Sequence, residues 1–271
     1  MRDGKAWPRI TVITPSFNQG RYIEETIRSV LQQGYPNLEY IIMDGGSTDN
    51  TVEIVRKYES LLTYWVSERD YGQSHALNKG LRRATGDIIG WLNSDDMYTE
   101  YCFQKVIEAF AASPDALVVH GNRILLDADS QVSGWAQPPA FDPEVTGFVV
   151  CSETAFWRRT CVRQACFNDD LRFAMDLEFF SRLYQSGKFI KLDSFLGYFR
   201  CYRDNKSSTL SEVCQLESER EWKKIFGQDH EGWRNVPKRN KLGSVLSLIQ
   251  NPCTIAFPYL YRRFVLRKRG M

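Results

Sequence analysis

The stretch from Arg9 to Asp49 reads RITVITPSFNQGRYIEETIRSVLQQGYPNLEYIIMDGGSTD, and its hydrophobic period changes twice. Arg9 to Thr14 is rich in β-branched residues, which pack well on a pleated surface, and Pro15 stops the run. Ile23, Ile27, Val30 and Leu31 then recur at helical spacing with Arg and Glu between them, and Gly34 follows as a terminator. Leu38 to Met43 is a second strand, closing on Asp44-Gly45-Gly46-Ser47. Strand, helix and strand in this order make a βαβ unit, and such units build mainly parallel sheets covered on both faces.

The same alternation continues outward. Thr48 or Asp49 caps a helix carrying Val52, Val55 and Tyr58. Leu62 to Val66 is a third strand, Ser74 to Ala84 a third helix and Gly86 to Leu92 a fourth strand. A helix from about Tyr101 to Ala112 and a fifth strand, Ala116 to His120, follow. From Asn122 to Tyr202 the pattern changes: short strands, Arg123 to Leu126 and Phe189 to Leu192, flank an aromatic-rich region and a helix from about Met175 to Gln185. Beyond Arg203 the chain is polar, with a helix predicted between Ser211 and Phe226.

Composition bounds what such a sheet does. The chain has 271 residues, 43% hydrophobic and 25% charged, which suffices for one large domain and excludes a disordered tail, a collagen repeat or a disulfide scaffold. A net charge of +2 argues against coating nucleic acid. The seven cysteines (Cys102, Cys151, Cys161, Cys166, Cys201, Cys214 and Cys253) form no C-x-x-C pair and read as reduced thiols. No apolar leader precedes Trp7-Pro8 and no apolar run is long enough to span a bilayer, so a cytoplasmic protein is expected.

Open α/β sheets bind ligands outside the carboxyl ends of their strands, near a switch in strand order. Three polar clusters fall on that rim: Thr14–Asn18, Asp44–Asp49 and Asn93–Asp96. Adjacent carboxylates at a strand end repel each other unless a cation intervenes, so Asp95 and Asp96 suit Mg²⁺ or Mn²⁺, with positions left open for phosphates. Read alone, the pair is equally a solvated turn. The glycines after Asp44 permit close approach of a ligand, with Asp44 accepting from a base or ribose, and they are equally ordinary turn residues.

Taken in order, Thr14-Pro15-Ser16-Phe17-Asn18, Asp44 to Asp49, Gly72-Gln73 through Asn78-Lys79-Gly80, and Asn93-Ser94-Asp95-Asp96 resemble the family 2 glycosyltransferases of the GT-A fold. The resemblance covers residues 8–205, about three quarters of the chain. It implies an inverting enzyme that takes a sugar from a nucleoside diphosphate, often a UDP-sugar, to a hydroxyl of a glycan or lipid-linked acceptor on a bacterial surface polysaccharide. Thr14, Pro15, Ser16 and Asn18 would line the nucleotide pocket, with Asp44 and Gly45 at the base and Asp70, Gln73, Asn78 and Lys79 near base and phosphates. Asn93 and Ser94 would join them, and Asp95 and Asp96 would form the metal site, with Asn93 standing where the motif's leading aspartate usually does.

Asp176, in Ala174-Met-Asp176-Leu-Glu178, matches the family's base at a helix start, where the helix N-terminus would favour its anion; a plain helix cap is the alternative. Glu153 and Trp157 would shape the sugar pocket, an aromatic there being as readily core. A histidine that family members often carry two residues after an arginine is Tyr202 here, after Arg200. The implied division is a GT-A domain over residues 1–205, with a nucleotide-binding half to about 125 and an acceptor half from 126, then a helical extension over 206–271. The apolar and basic segment Leu242 to Arg269 reads either as a contact with the inner membrane face or as a tail packed on the domain. Two rival classes are a sugar-nucleotide nucleotidyltransferase, which wants a basic Gly-rich first loop, and a sugar-nucleotide binding module without turnover.

Overall fold

The computed structural model describes residues 6–161, 166–203, 205–206, 211–227, 229 and 255. Among them the expected alternation is present as β1 (Ile10–Ser16), α1 (Ile23–Leu31), β2 (Leu38–Asp44), α2 (Thr51–Lys57), β3 (Tyr64–Ser67), α3 (Gln73–Arg83) and β4 (Ile88–Trp91). Then come β5 (Met97–Tyr98), α4 (Cys102–Ala112), β6 (Ala116–Leu126), β7 (Val132–Ala136), β8 (Phe156–Arg158), α5 (Met175–Tyr184), β9 (Lys188–Arg200) and α6 (Ser211–Phe226).

The strands form one sheet in the order β3-β2-β1-β4-β8-β6-β9-β5, with β7 paired to β6. The β3-β2-β1-β4 run is parallel and in register, Ser16 beside Asp44 and Asp44 beside Ser67, so the carboxyl ends of these strands share one edge. The chain leaves β1 for β2 on one side and returns from β3 to β4 on the other. The switch in strand order therefore lies between β1 and β4, where Thr14–Asn18 and Asn93–Asp96 emerge.

Strand alternation separates two cores. Ile10 and Val12 face one side, packed with Ile23, Ile27 and Val30 of α1 and Phe103 and Val106 of α4. Ile13 faces the other, with Leu77 and Leu81 of α3, Phe179 and Phe180 of α5 and Trp222 of α6. Each fully buried side chain of this size contributes about 1.5–3 kcal/mol over exposure. A Cβ on Gly80 would lie 2.5 Å from Ile13 Cγ2, so α3 rests directly on β1.

The second half of the sheet departs from the sequence pattern. The expected strands Ala116 to His120 and Arg123 to Leu126 are one strand, β6, because Gly121-Asn122 is a bulge rather than a stop: the pairing with β9 shifts there, and a Cβ on Gly121 would meet Leu196 Cγ at 2.6 Å. β9 likewise continues past Leu192 through polar Asp193-Ser194 to Arg200. β5, β7 and β8 are short strands absent from the hydrophobic pattern, and β8 pairs antiparallel with both β4 and β6. The sheet is mixed, parallel in its first half. The cysteines among the described residues are free. None of the described helices is long and apolar enough to cross a membrane. The tail reading falls outside the described residues except at Ile255, which is buried against Ile124, Leu126, Trp135 and Phe195.

Candidate active site

The rim is built by the ends of β1, β2 and β4 and the start of α3. Ser16 ends β1 buried, its hydroxyl without a hydrogen-bond partner among the described residues. Asn18, in the left-handed region at φ 52, receives the Thr48 N–H on Oδ1 at 2.9 Å and ties the first loop to the second. Thr14 is buried one layer down, its hydroxyl 3.2 Å from the Tyr40 hydroxyl. Asp44 is completely buried, and its carboxylate accepts the Gly46 and Ser47 N–H groups and the Ser47 and Ser67 hydroxyls. It braces its own loop instead of offering a free oxygen to a base. The loop presents Gly45 instead, where a Cβ would come within 2.7 Å of Asp70 Oδ2. Asp70 Oδ1 accepts the Gly72 N–H, and Gly72, at φ 118, turns the chain into α3.

Gln73 opens α3 and donates through Nε2 to Asn93 Oδ1 at 2.6 Å, while its Oε1 accepts from Lys206 Nζ at 2.6 Å. Asn93 also accepts from Trp91 Nε1 and donates to Asp96 Oδ2 at 3.2 Å. Asp95 Oδ2 accepts the Tyr202 hydroxyl at 2.9 Å, and the Asp95 carbonyl accepts from Arg200 Nε. Arg200, itself 1% exposed, donates its backbone N–H to Asp96 Oδ1 at 3.0 Å and its guanidinium to Ser130 Oγ and Glu25 Oε2. Asp176, in the first turn of α5, accepts the Leu177 N–H. Glu153, 1% exposed, faces Arg123 Nη1 at 3.6 Å beneath the carboxylate pair.

These carboxyls form one electrostatic unit. Burial raises Asp95 above the usual range against the Tyr202 hydrogen bond; it raises Asp96 well above, with Asp95 and Glu153 adding repulsion. Burial likewise raises Glu153, opposed by Arg123. Asp176 is raised by burial, which outweighs the Leu177 N–H and the Lys206 charge; the helix start alone does not hold it low, contrary to the sequence expectation. Glu153 repels Asp96 and Asp176 and is itself repelled by Asp95, so the four carboxyls lie within electrostatic reach of one another.

Several expected members stand elsewhere. Trp157 is completely buried among Phe167, Phe179 and Phe180, a core residue whose place on β8 the sequence did not reveal. The Asn78 amide is taken up on both sides by the 167–169 loop, through Phe167 N and O and Asp169 Oδ1. Lys79 pairs with Glu68 at 3.1 Å and lines a groove of about 380 Å³ beside β2 and β3, with Tyr64, Arg82 and Arg83. Ser94 is buried within its turn. Arg200 and Arg123 are cations that sequence reading left without a role; for Arg200 the separation from the rim in the chain, by about a hundred residues, concealed it.

The donor set tests the metal expectation. Asp96 is 2% exposed and both its oxygens accept internal hydrogen bonds, so it does not fit as a ligand. Asp95 keeps Oδ1 outside its hydrogen bonds and fits as a single hard oxygen ligand, a divalent ion taking its other ligands from phosphate and water. Among the described residues no three His, Cys, Asp or Glu side chains converge on one metal position.

A parallel sheet with a switch point between β1 and β4 places the chain among open α/β domains that bind ligands at that rim. Residues 11–141 match the family model "Glycosyl transferase family 2", and the chain carries a domain of that family. The "Putative teichuronic acid biosynthesis glycosyltransferase TuaG" of Bacillus subtilis is 40% identical over 37% of this chain and 41% of its own length. The chain spans between 30% and 63% of the length of the curated relatives compared. Staphylococcus aureus TarS 1-349 in complex with UDP-GlcNAc superposes with a TM-score of 0.61 at 20% identity, over 96% of this chain and 77% of that one. A mannosyltransferase of Pyrobaculum calidifontis in complex with GDP-Man and Mn²⁺ gives 0.62 at 19%, over 98% and 74%. At these identities the two structures share the fold.

Proposed function

We propose that this chain is an inverting, divalent-metal-dependent glycosyltransferase that moves a sugar from a nucleoside diphosphate, a UDP-sugar, to a hydroxyl of a glycan or lipid-linked acceptor in bacterial surface polysaccharide synthesis. The observation that carries it is the polar network that runs from Asp176 through Lys206, Gln73 and Asn93 to Asp96, the neighbour of Asp95. The reading is supported by the family match, by the teichuronic-acid assignment of the Bacillus relative, and by the UDP-GlcNAc and GDP-Man complexes of the two fold neighbours.

In this reading the rim loops hold the nucleotide, and Gln73 and Asn93 form the polar floor beneath the diphosphate. Asp95 Oδ1 would hold Mg²⁺ or Mn²⁺, which when bound offsets the charge gathering on the leaving diphosphate. The acceptor oxygen attacks the anomeric carbon from the side opposite the diphosphate. Its proton passes to the Asp176 carboxylate, and the electron pair of the breaking C–O bond leaves on the diphosphate. Asp176 must be ionised to accept that proton. Because burial raises its pKa, turnover is expected to fall as the pH drops through a midpoint above the usual aspartate range.

Asp176→Asn removes the base and leaves the nucleotide rim intact. The expected result is a loss of turnover by about 10²–10⁴-fold with donor affinity unchanged, read from initial rates and calorimetric titration. Parental turnover in the variant would remove Asp176 from the mechanism.

A further inference from the structure

Behind the proposed base lies a contact that the motifs do not include. The segment entering α5 points three successive N–H groups, of Arg172, Phe173 and Ala174, at one carboxylate, Glu217 of α6, at 2.9, 2.7 and 3.0 Å. Ala174, the residue capping α5, has no side-chain cap of its own. Glu217 is 9% exposed and sits five residues before Trp222, which is 1% exposed and packs into the core with Phe179 and Phe180. Gln185, at the other end of α5, donates to the Ile225 carbonyl at 2.9 Å, so α6 grips α5 at both ends.

We infer that Glu217 is a positioning residue for the reaction: reaching from α6, it clamps the start of α5 and so fixes where Asp176 meets the acceptor hydroxyl. The inference rests on the reading of Asp176 as the base. Of the three N–H groups only that of Ala174 belongs to the donors a helix start leaves unpaired; those of Arg172 and Phe173 come before the helix, so the contact reaches beyond an ordinary cap. What the clamp adds is a fixed angle for the first turn, and Asp176 lies in that turn.

The clamp also has an electrical side. Lys206 answers to both Asp176 and Glu217. Asp176 is further faced by Glu153, the Leu177 N–H and the Cys151 and Cys214 thiols; Glu217 is faced by Arg172, Arg220 and Cys214. Glu217 thus competes with Asp176 for Lys206 and neutralises the positive end of the helix beside it. Removing its charge leaves both to Asp176, which then ionises at lower pH.

The test uses the full chain with Glu217→Gln and Glu217→Ala, following UDP release from UDP-GlcNAc between about pH 5 and about pH 9. Glu217→Gln keeps one acceptor oxygen, enough for the Phe173 and Ala174 N–H groups, and loses the charge and the Arg172 bond: plateau kcat is expected within about twofold of the parent, with the acid limb about 0.5 pH unit lower. Glu217→Ala is expected to lower plateau kcat about tenfold with donor KM unchanged, because only the chemical step loses its geometry. A helix that is merely less stable would not move the acid limb. Amide exchange at Arg172, Phe173 and Ala174 should quicken in the alanine variant while β1–β4 stay protected. An alanine variant with parental kcat, acid limb and amide exchange would overturn the inference. Should the parent turn over neither UDP-GlcNAc nor any of a panel of other UDP- and GDP-sugars, the glycosyl-transfer reading fails instead, and unchanged exchange in the alanine variant would still overturn the clamp.

Discussion

The hydroxyl of Tyr202 donates to one oxygen of Asp95 and so decides which oxygen is left for a ligand. Its ring is held separately, 5.1 Å from that of Tyr22, so Tyr202→Phe should keep the packing and lose the bond. Loss of one hydrogen bond to a charged group is worth about 1.5–3 kcal/mol, and the expected outcome is a tenfold or larger drop in Mg²⁺-dependent UDP affinity. Calorimetric titration of both proteins reads it, and equal affinities would detach Tyr202 from the metal position. At this scale the sequence was informative about residue type and silent about direction. Asp95 and Asp96 are adjacent and chemically identical; Asp96 is turned inward by Asn93, three residues before it, and by Arg200, 104 residues further on, whose N–H donates to Oδ1. Asp44 carries the same lesson, since the donors that fill its carboxylate include Ser67 from the neighbouring strand.

At the scale of elements, α3 decides how closely the donor rim sits on the sheet. Gly80→Ala would ordinarily strengthen a helix interior by about 1 kcal/mol. Here the added methyl meets Ile13 at 2.5 Å, and overpacking of this kind costs about 1–3 kcal/mol. Net destabilisation is expected, seen as a lower urea midpoint; a raised midpoint would mean that α3 does not rest on β1 as described. The β1–α1–β2 unit and β4 were legible because their strands are short runs of β-branched and other apolar residues and the Ile and Val of α1 recur at helical spacing. β6 and β9 were not, because the signal that usually ends a strand, Gly121-Asn122, serves as a bulge, and polar Asp193-Ser194 runs through the middle of β9. The two-residue β5 and three-residue β8 are too short to show any period.

For the whole molecule, the near-neutral net charge conceals a separation of charge. Asp95, Asp96, Glu153 and Asp176 lie within electrostatic reach of one another, answered from within the fold by Arg123, Arg200 and Lys206. The central claim of the proposed function is that the rim and the start of α5 form one nucleotide-sugar site with a divalent ion on Asp95. The most direct test is a thermal-shift panel of nucleotide sugars with and without Mn²⁺, on the parent, Asp95→Asn and Asp176→Asn. A ligand at a hundred times its Kd adds about 2.7 kcal/mol, or roughly 5 °C in a chain of this size. The account predicts that shift for a UDP-sugar only with Mn²⁺, kept in Asp176→Asn and lost in Asp95→Asn. A panel in which no nucleotide sugar stabilises the parent, or in which Asp95→Asn responds as the parent does, would contradict it.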